Sequence, residues 1–254
     1  MAEAAMTDAG GEDFTWADKA RAWSVHLYTA LGLPLAWLCG EALAAGDAQR
    51  FFIFQWIACV IDATDGFLAR RWRVKEVTPG FSGRRLDDIV DYIHFTALPL
   101  AALPALDLVP HNPSILLVIP LMASAYGFCQ ELAKTEDSFV GFPSYWNILV
   151  LYLYVLGAAP KIIFGSMLLF SALVFVPWHW VYPSKTKRAQ AWTTVLGFAW
   201  SFMVMAIMLR PNAAWAKPLA WGSLYFPVWY CVVSVFHHRD VMRRMAAGEP
   251  TVAG

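Results

Sequence analysis

The sequence predicts an all-α polytopic membrane protein with eight transmembrane helices. Of its 254 residues, 59% are apolar and only 15% charged, whereas a soluble domain carries about 25% charge. The apolar residues gather into runs near the ~20 residues that cross a bilayer as helix. The basic residues then fall mostly on one of the two sides that those runs define.

Taken in order, residues 1–13 are small and acidic, with no basic segment leading into an apolar one. They read as a disordered tail and not as a cleavable signal peptide. Phe14, Trp16, Lys19, Arg21 and Trp23 mix aromatic and basic side chains, which suits an amphipathic helix lying in the headgroup layer over about 14–22. Spans follow at about 22–45, 49–70, 87–107, 113–133, 142–159, 161–182, 190–209 and 215–236. Residues 14–240 then form a single transmembrane domain, and 241–254 a C-terminal tail. With eight spans, fifteen of the nineteen Lys and Arg fall on one side and only Arg50, Lys161, Arg210 and Lys217 on the other. Basic residues accumulate on the cytoplasmic side, so both termini and the loops after the second, fourth and sixth spans are expected there.

Net charge is zero, with nineteen basic and nineteen acidic residues, so no long-range field would gather nucleic acid. Cys39, Cys59, Cys129 and Cys231 are widely spaced in apolar runs, a pattern of small buried hydrophobes and not of a zinc site or disulfide framework.

The chemistry concentrates in two pairs of acids. Asp62 and Asp65 lie three apart near the end of the second span, and Asp87 and Asp91 four apart at the start of the third. Each pair therefore shares a helical face. A single carboxylate there is explained by solvent or by the basic loop between the pairs. Four are not: each costs about 2.5 to 3.5 kcal/mol inside an apolar span, and converging carboxylates repel unless cations sit between them. Ligation by oxygen alone selects hard ions such as Mg²⁺ or Mn²⁺, and two such ions about 4 Å apart clamp an in-line displacement at phosphorus. Gly66, Ala69 and Gly83 leave room for a ligand or for a packed helix, and Arg70 offers a fork for phosphate.

Together these residues resemble the signature of the CDP-alcohol phosphatidyltransferase family, Asp-x2-Asp-Gly-x2-Ala-Arg followed by Gly-x3-Asp-x3-Asp. Asp62, Asp65, Gly66, Ala69, Arg70, Gly83, Asp87 and Asp91 fill every fixed position. The resemblance implies a six-helix catalytic core, a homodimer and a two-metal site. It implies that Asp62, Asp65 and Asp87 are chiefly metal ligands, and that Asp91 is the general base and touches a metal. Gly66, Ala69, Arg70 and Gly83 would then face the CDP-lipid. The spacer from Arg71 to Ser82, twelve residues, is longer than in most members. Together with the span number and the runs 142–147 and 182–184, it is similar to the bacterial phosphatidylcholine synthase branch. That likeness implies an inner-membrane enzyme, active on the cytoplasmic side, that condenses CDP-diacylglycerol with choline and releases CMP.

Choline cannot donate an N–H hydrogen bond, so its recognition falls to aromatic faces with a carboxylate in support. Glu131, Tyr145 and Trp146 near the cytoplasmic ends of the fourth and fifth spans are the candidates. Serine, glycerol phosphate or an inositol phosphate are alternative acceptors, but a phosphorylated one would want a second basic cluster. A cation- or proton-coupled transporter is the reading from another class. It would carry ionisable residues at the midplane, whereas these acids lie near one face.

Overall fold

The computed structural model describes residues 14–130, 138–181, 186 and 189–248. The expected tail at 1–13 and the candidate Glu131 lie outside the described residues. Helix α1 (Trp16–Ala30) opens on a capping box. Thr15 Oγ1 accepts the Asp18 amide at 3.2 Å and the Asp18 carboxylate accepts the Thr15 amide at 3.0 Å, which satisfies two otherwise orphaned donors. At Leu31 the chain passes directly into α2 (Gly32–Ala44). Pro34 has no N–H to offer the Ala30 carbonyl, which accounts for the break in pitch there. The segment expected to lie at 14–22 is thus the first turns of a longer helix, with Trp16 84% exposed.

Helix α3 (Ala48–Arg71) is capped by Asp47, which accepts the Arg50 amide at 3.0 Å. A short α4 (Val74–Val77) follows, entered through Arg73 at φ 51°. Ser82 caps α5 (Gly83–Tyr92), which runs through a π turn (Ile93–Ala97) into α6 (Leu98–Ala105). Pro99 cannot bond the Phe95 carbonyl in α-register, and the Leu98 amide instead reaches back to Ile93. One wide turn absorbs that mismatch.

Beyond a 3₁₀ turn come α7 (Val118–Cys129), α8 (Trp146–Leu156) and α9 (Pro160–Val174). They are followed by α10 (Gln190–Leu209), α11 (Ala216–Ser223) and α12 (Tyr225–Ala246). Two three-residue strands, β1 (Ser138–Val140) and β2 (His179–Val181), pair antiparallel with Phe139 opposite Trp180.

Four helical segments are long and apolar enough to cross a membrane: Trp16–Ala44, Ala48–Arg71, Gln190–Leu209 and Ala216–Ala246. This is an all-α membrane protein in its bulk, but the expected eight spans meet four such segments among the described residues. Three further apolar helices are shorter: Ser114–Cys129, Trp146–Leu156 and Pro160–Val174. An 11-residue helix is about 17 Å long, well short of the ~30 Å hydrocarbon core. Proline sets those limits. Pro143 holds off the start of α8, and Val176 before Pro177 is biased out of the α region, so the expected sixth span ends at Val174 and its last residues form β2. At the other end, α12 runs past the expected domain boundary at 240 to Ala246.

The main core joins α3, α6, α8 and α10 through Phe51, Leu100, Trp146, Leu151 and Met208. A smaller cluster, Ala22, Val25, Val74 and Val77, seats α4 on α1, with Phe14, Leu68, Ala69 and Trp72 packed against it.

Candidate active site

The acids of α3 and α5 meet in one cleft. Each of Asp62, Asp87 and Asp91 offers a carboxylate oxygen within 4.8 Å of the others. Asp62 is exposed, Asp87 half-buried and Asp91 buried, so the cluster grades from solvent into the protein. The cleft is also lined by Thr29, Gly32, Asp65 and His94. Three anionic oxygens at that spacing, with no nitrogen or sulfur among them, suit a hard divalent cation.

Asp65 stands apart from that trio. Only 6% exposed, it accepts the Thr29 hydroxyl from α1 at 2.7 Å. A charged acceptor with a hydroxyl donor is a strong pairing, and it fixes the Asp65 rotamer. The sequence reading missed Thr29, although His26 and Thr29 lie three apart on one face of an apolar helix. His26 bonds Thr78 through Nε2 at 3.0 Å, so the two polar residues of that face tie α1 to α3 and to the end of α4.

The two glycines of the signature differ in role. A Cβ on Gly83 would come 2.8 Å from His26 Cε1, so Gly83 lets α1 and α5 approach. A Cβ on Gly66 would meet only the Arg70 guanidinium, at 3.4 Å; no packed helix requires this glycine, and its open face lies beside a cationic fork. Ala69 is half-buried against the smaller apolar cluster. Gly32 is a packing glycine too, since a Cβ there would overlap Val90, the neighbour of Asp91.

His94 is 1% exposed and donates from Nε2 to the Gly32 carbonyl at 2.8 Å. Its Nδ1 is then an acceptor, 3.4 Å from Gln55 Oε1, while Gln55 Nε2 is buried without a partner. Turning the Gln55 amide over pairs both groups. His94 thus pins the π turn below Asp91 to the start of α2, a structural role.

Of the choline candidates within the described residues, Tyr145 and Trp146, only Tyr145 is accessible. Trp146 is 0% exposed in the main core and donates to Ser124 Oγ at 2.7 Å, so neither ring face is open to a cation. Burying the largest apolar side chain of the run outweighs leaving it at the surface. Tyr145 is 39% exposed, edge-on to Tyr230 at 6.4 Å, and Tyr230 stacks on Trp180 at 5.8 Å. From the same end of α8, Asn147 donates to Cys59 Sγ at 3.4 Å. Cys59 lies one turn before Asp62, within electrostatic reach of Asp62 and Asp91, so the start of α8 links the aromatic group to the carboxylate cleft.

No protein-family model matches the chain. Comparison with individual proteins is decisive. The chain is 32% identical over 185 residues to a phosphatidylcholine synthase of Pseudomonas aeruginosa, covering 72% of this chain and 78% of that one. It is 33% identical over 205 residues to the Mesorhizobium japonicum phosphatidylcholine synthase, covering 79% and 75%. The chain belongs to the phosphatidylcholine synthase family. A third synthase, from Bradyrhizobium diazoefficiens, is 37% identical over 192 residues, covering 73% of this chain and 70% of its own length. Membership of this family agrees with the branch that the aspartate signature and the long spacer pointed to.

Proposed function

We propose that this protein is a phosphatidylcholine synthase: it transfers the phosphatidyl group of CDP-diacylglycerol to choline, giving phosphatidylcholine and CMP. The observation that carries this reading is the convergence of Asp62, Asp87 and Asp91 in a chain of that family. The choline hydroxyl is a weak nucleophile at neutral pH and needs a base within hydrogen-bond reach. Asp91, the buried member of the trio, takes the proton while the oxygen forms its bond to the lipid-linked phosphorus. The bond from that phosphorus to the CMP oxygen breaks in the same displacement.

Asp62, Asp87 and Asp91 would hold Mg²⁺ or Mn²⁺, and Asp65, in the same cleft, would be the further carboxylate for a second ion. Two ions held there would supply positive charge against the diphosphate and the charge that develops on departing CMP. The guanidinium of Arg70, the bare face of Gly66 and the small side chain of Ala69 receive the CDP-lipid, and Gly83 contributes by letting α5 close on α1.

For the acceptor, Tyr145 presents an accessible aromatic face, with Tyr230 and Trp180 behind it. Glu131 remains the proposed counter-charge, and Trp146 supports the wall from within. The working protein is a homodimer in the bacterial inner membrane, with a six-helix core and with the site and both termini cytoplasmic. The test is an acceptor screen: purified protein with CDP-diacylglycerol and each alcohol in turn, with released CMP measured. Release with choline supports the reading; release only with serine, glycerol phosphate or inositol phosphate replaces it with the alternative acceptor.

A further inference from the structure

We propose a second binding site, distinct from the carboxylate cleft, that holds the phosphate of an anionic phospholipid headgroup. It is the open groove of about 380 Å³ between the start of α1 and the α3–α4 junction, lined by Phe14, Asp18, Arg21, Arg71, Trp72 and Arg73. Arg71 lies nine residues beyond Asp62 on α3, or about 13 Å along the helix.

Charge in the groove is unbalanced. Arg21 pairs with Asp18 at 3.6 Å and Arg73 with Glu76, whereas the exposed Arg71 guanidinium makes no ion pair or hydrogen bond among the described residues. Apolar surface lies between these charges: Phe14 stands under the Arg73 guanidinium with 5.6 Å between charge and ring, and Trp72 packs over the smaller cluster. A fork of guanidinium groups above aromatic and aliphatic surface matches a phosphodiester joined to a glycerol backbone better than a free anion.

The depth is right as well. Arg71 closes a helix long and apolar enough to cross the membrane, Trp72 follows it, and Trp16 and Trp23 are exposed on α1. Basic residues with tryptophan at the end of a span mark the headgroup level. Arg73, at φ 51°, turns the chain so that its side chain comes back over Phe14. An occupant would bridge α1 to α4 across the cluster that also supports Ala69.

The site can be tested without reference to the acceptor. Purified protein in neutral detergent is mixed with phosphatidylglycerol or phosphatidylcholine, and bound lipid is counted by native mass spectrometry. The wild type retains one phosphatidylglycerol in preference to phosphatidylcholine. Arg71→Gln and Arg21→Gln each weaken retention about fivefold, Arg71→Lys less so, and CMP release in neutral micelles stays at the wild-type level, which reports an intact fold. Equal retention by the wild type and the double Gln variant would overturn the proposal, as would equal retention of the two lipids. Displacement of phosphatidylglycerol by millimolar inorganic phosphate would overturn it in favour of a soluble anion.

Discussion

At the scale of single residues, labour divides among acids that look alike in sequence. Asp91→Asn removes the proposed base and should lower kcat by about 10² or more with the CDP-diacylglycerol KM nearly unchanged. Asp62→Asn should weaken cation and nucleotide binding together, and steady-state kinetics at several Mg²⁺ or Mn²⁺ concentrations separate the two. Equal loss of CDP-diacylglycerol affinity in both variants would remove the distinction. Thr29→Val keeps shape but deletes the hydroxyl that holds Asp65 at 2.7 Å. Hydrogen bonds to charged groups contribute about 1.5 to 3 kcal/mol, so the divalent-ion concentration for half-maximal activity should shift by roughly tenfold or more; an unshifted curve would detach Asp65 from cation binding. The clustering of Asp62, Asp87 and Asp91 was legible in the sequence because carboxylates in apolar runs need a physical explanation. Thr29 and His26 were not, because hydroxyl and imidazole groups are cheap enough to be buried for many reasons, and only the packing of α1 against α3 and the end of α4 gives them partners. Trp146 was misread because its tryptophan chemistry fits a cation site and a core equally well; its burial decides for the core.

At the scale of elements, glycines at helix crossings govern how closely the site is held. Gly83→Ala should destabilise the protein by about 1 to 3 kcal/mol, as overpacking does, since the added methyl meets the buried His26 ring 2.8 Å away. Gly66→Ala meets only a flexible guanidinium and should leave thermal unfolding in detergent close to wild type while raising the CDP-diacylglycerol KM about tenfold. Should Gly66→Ala keep a normal KM, the CDP-lipid does not approach that face. The helices were readable from apolar runs, and α3 and α10 nearly fill their expected spans. Their interruptions were harder to see. The π turn below Asp91, the late start of α8 and the β1–β2 pair all follow from prolines at positions 99, 143 and 177, whose effect depends on which carbonyl each would have met.

At the scale of the whole molecule, a thin polar seam runs through an otherwise apolar bundle. Thr29, Asp65, His94 and Gln55 are buried along it, and the carboxylate trio lies at its open end. That arrangement makes sense if cations and a diphosphate complete it, because three converging anionic oxygens are costly on their own. The exposed Tyr145 beside Tyr230 extends the seam toward the proposed acceptor site. Tyr145→Ala should raise the choline KM by about tenfold, the scale of a partly desolvated cation–π contact, while Tyr145→Phe keeps it near wild type; a normal KM in the alanine variant would put the acceptor elsewhere. The most direct measurement of the central claim is choline-dependent release of CMP from CDP-diacylglycerol by purified protein, before and after treatment with EDTA. The account predicts release that requires choline, disappears in excess EDTA and returns with Mg²⁺ or Mn²⁺; undiminished release in excess EDTA would contradict it.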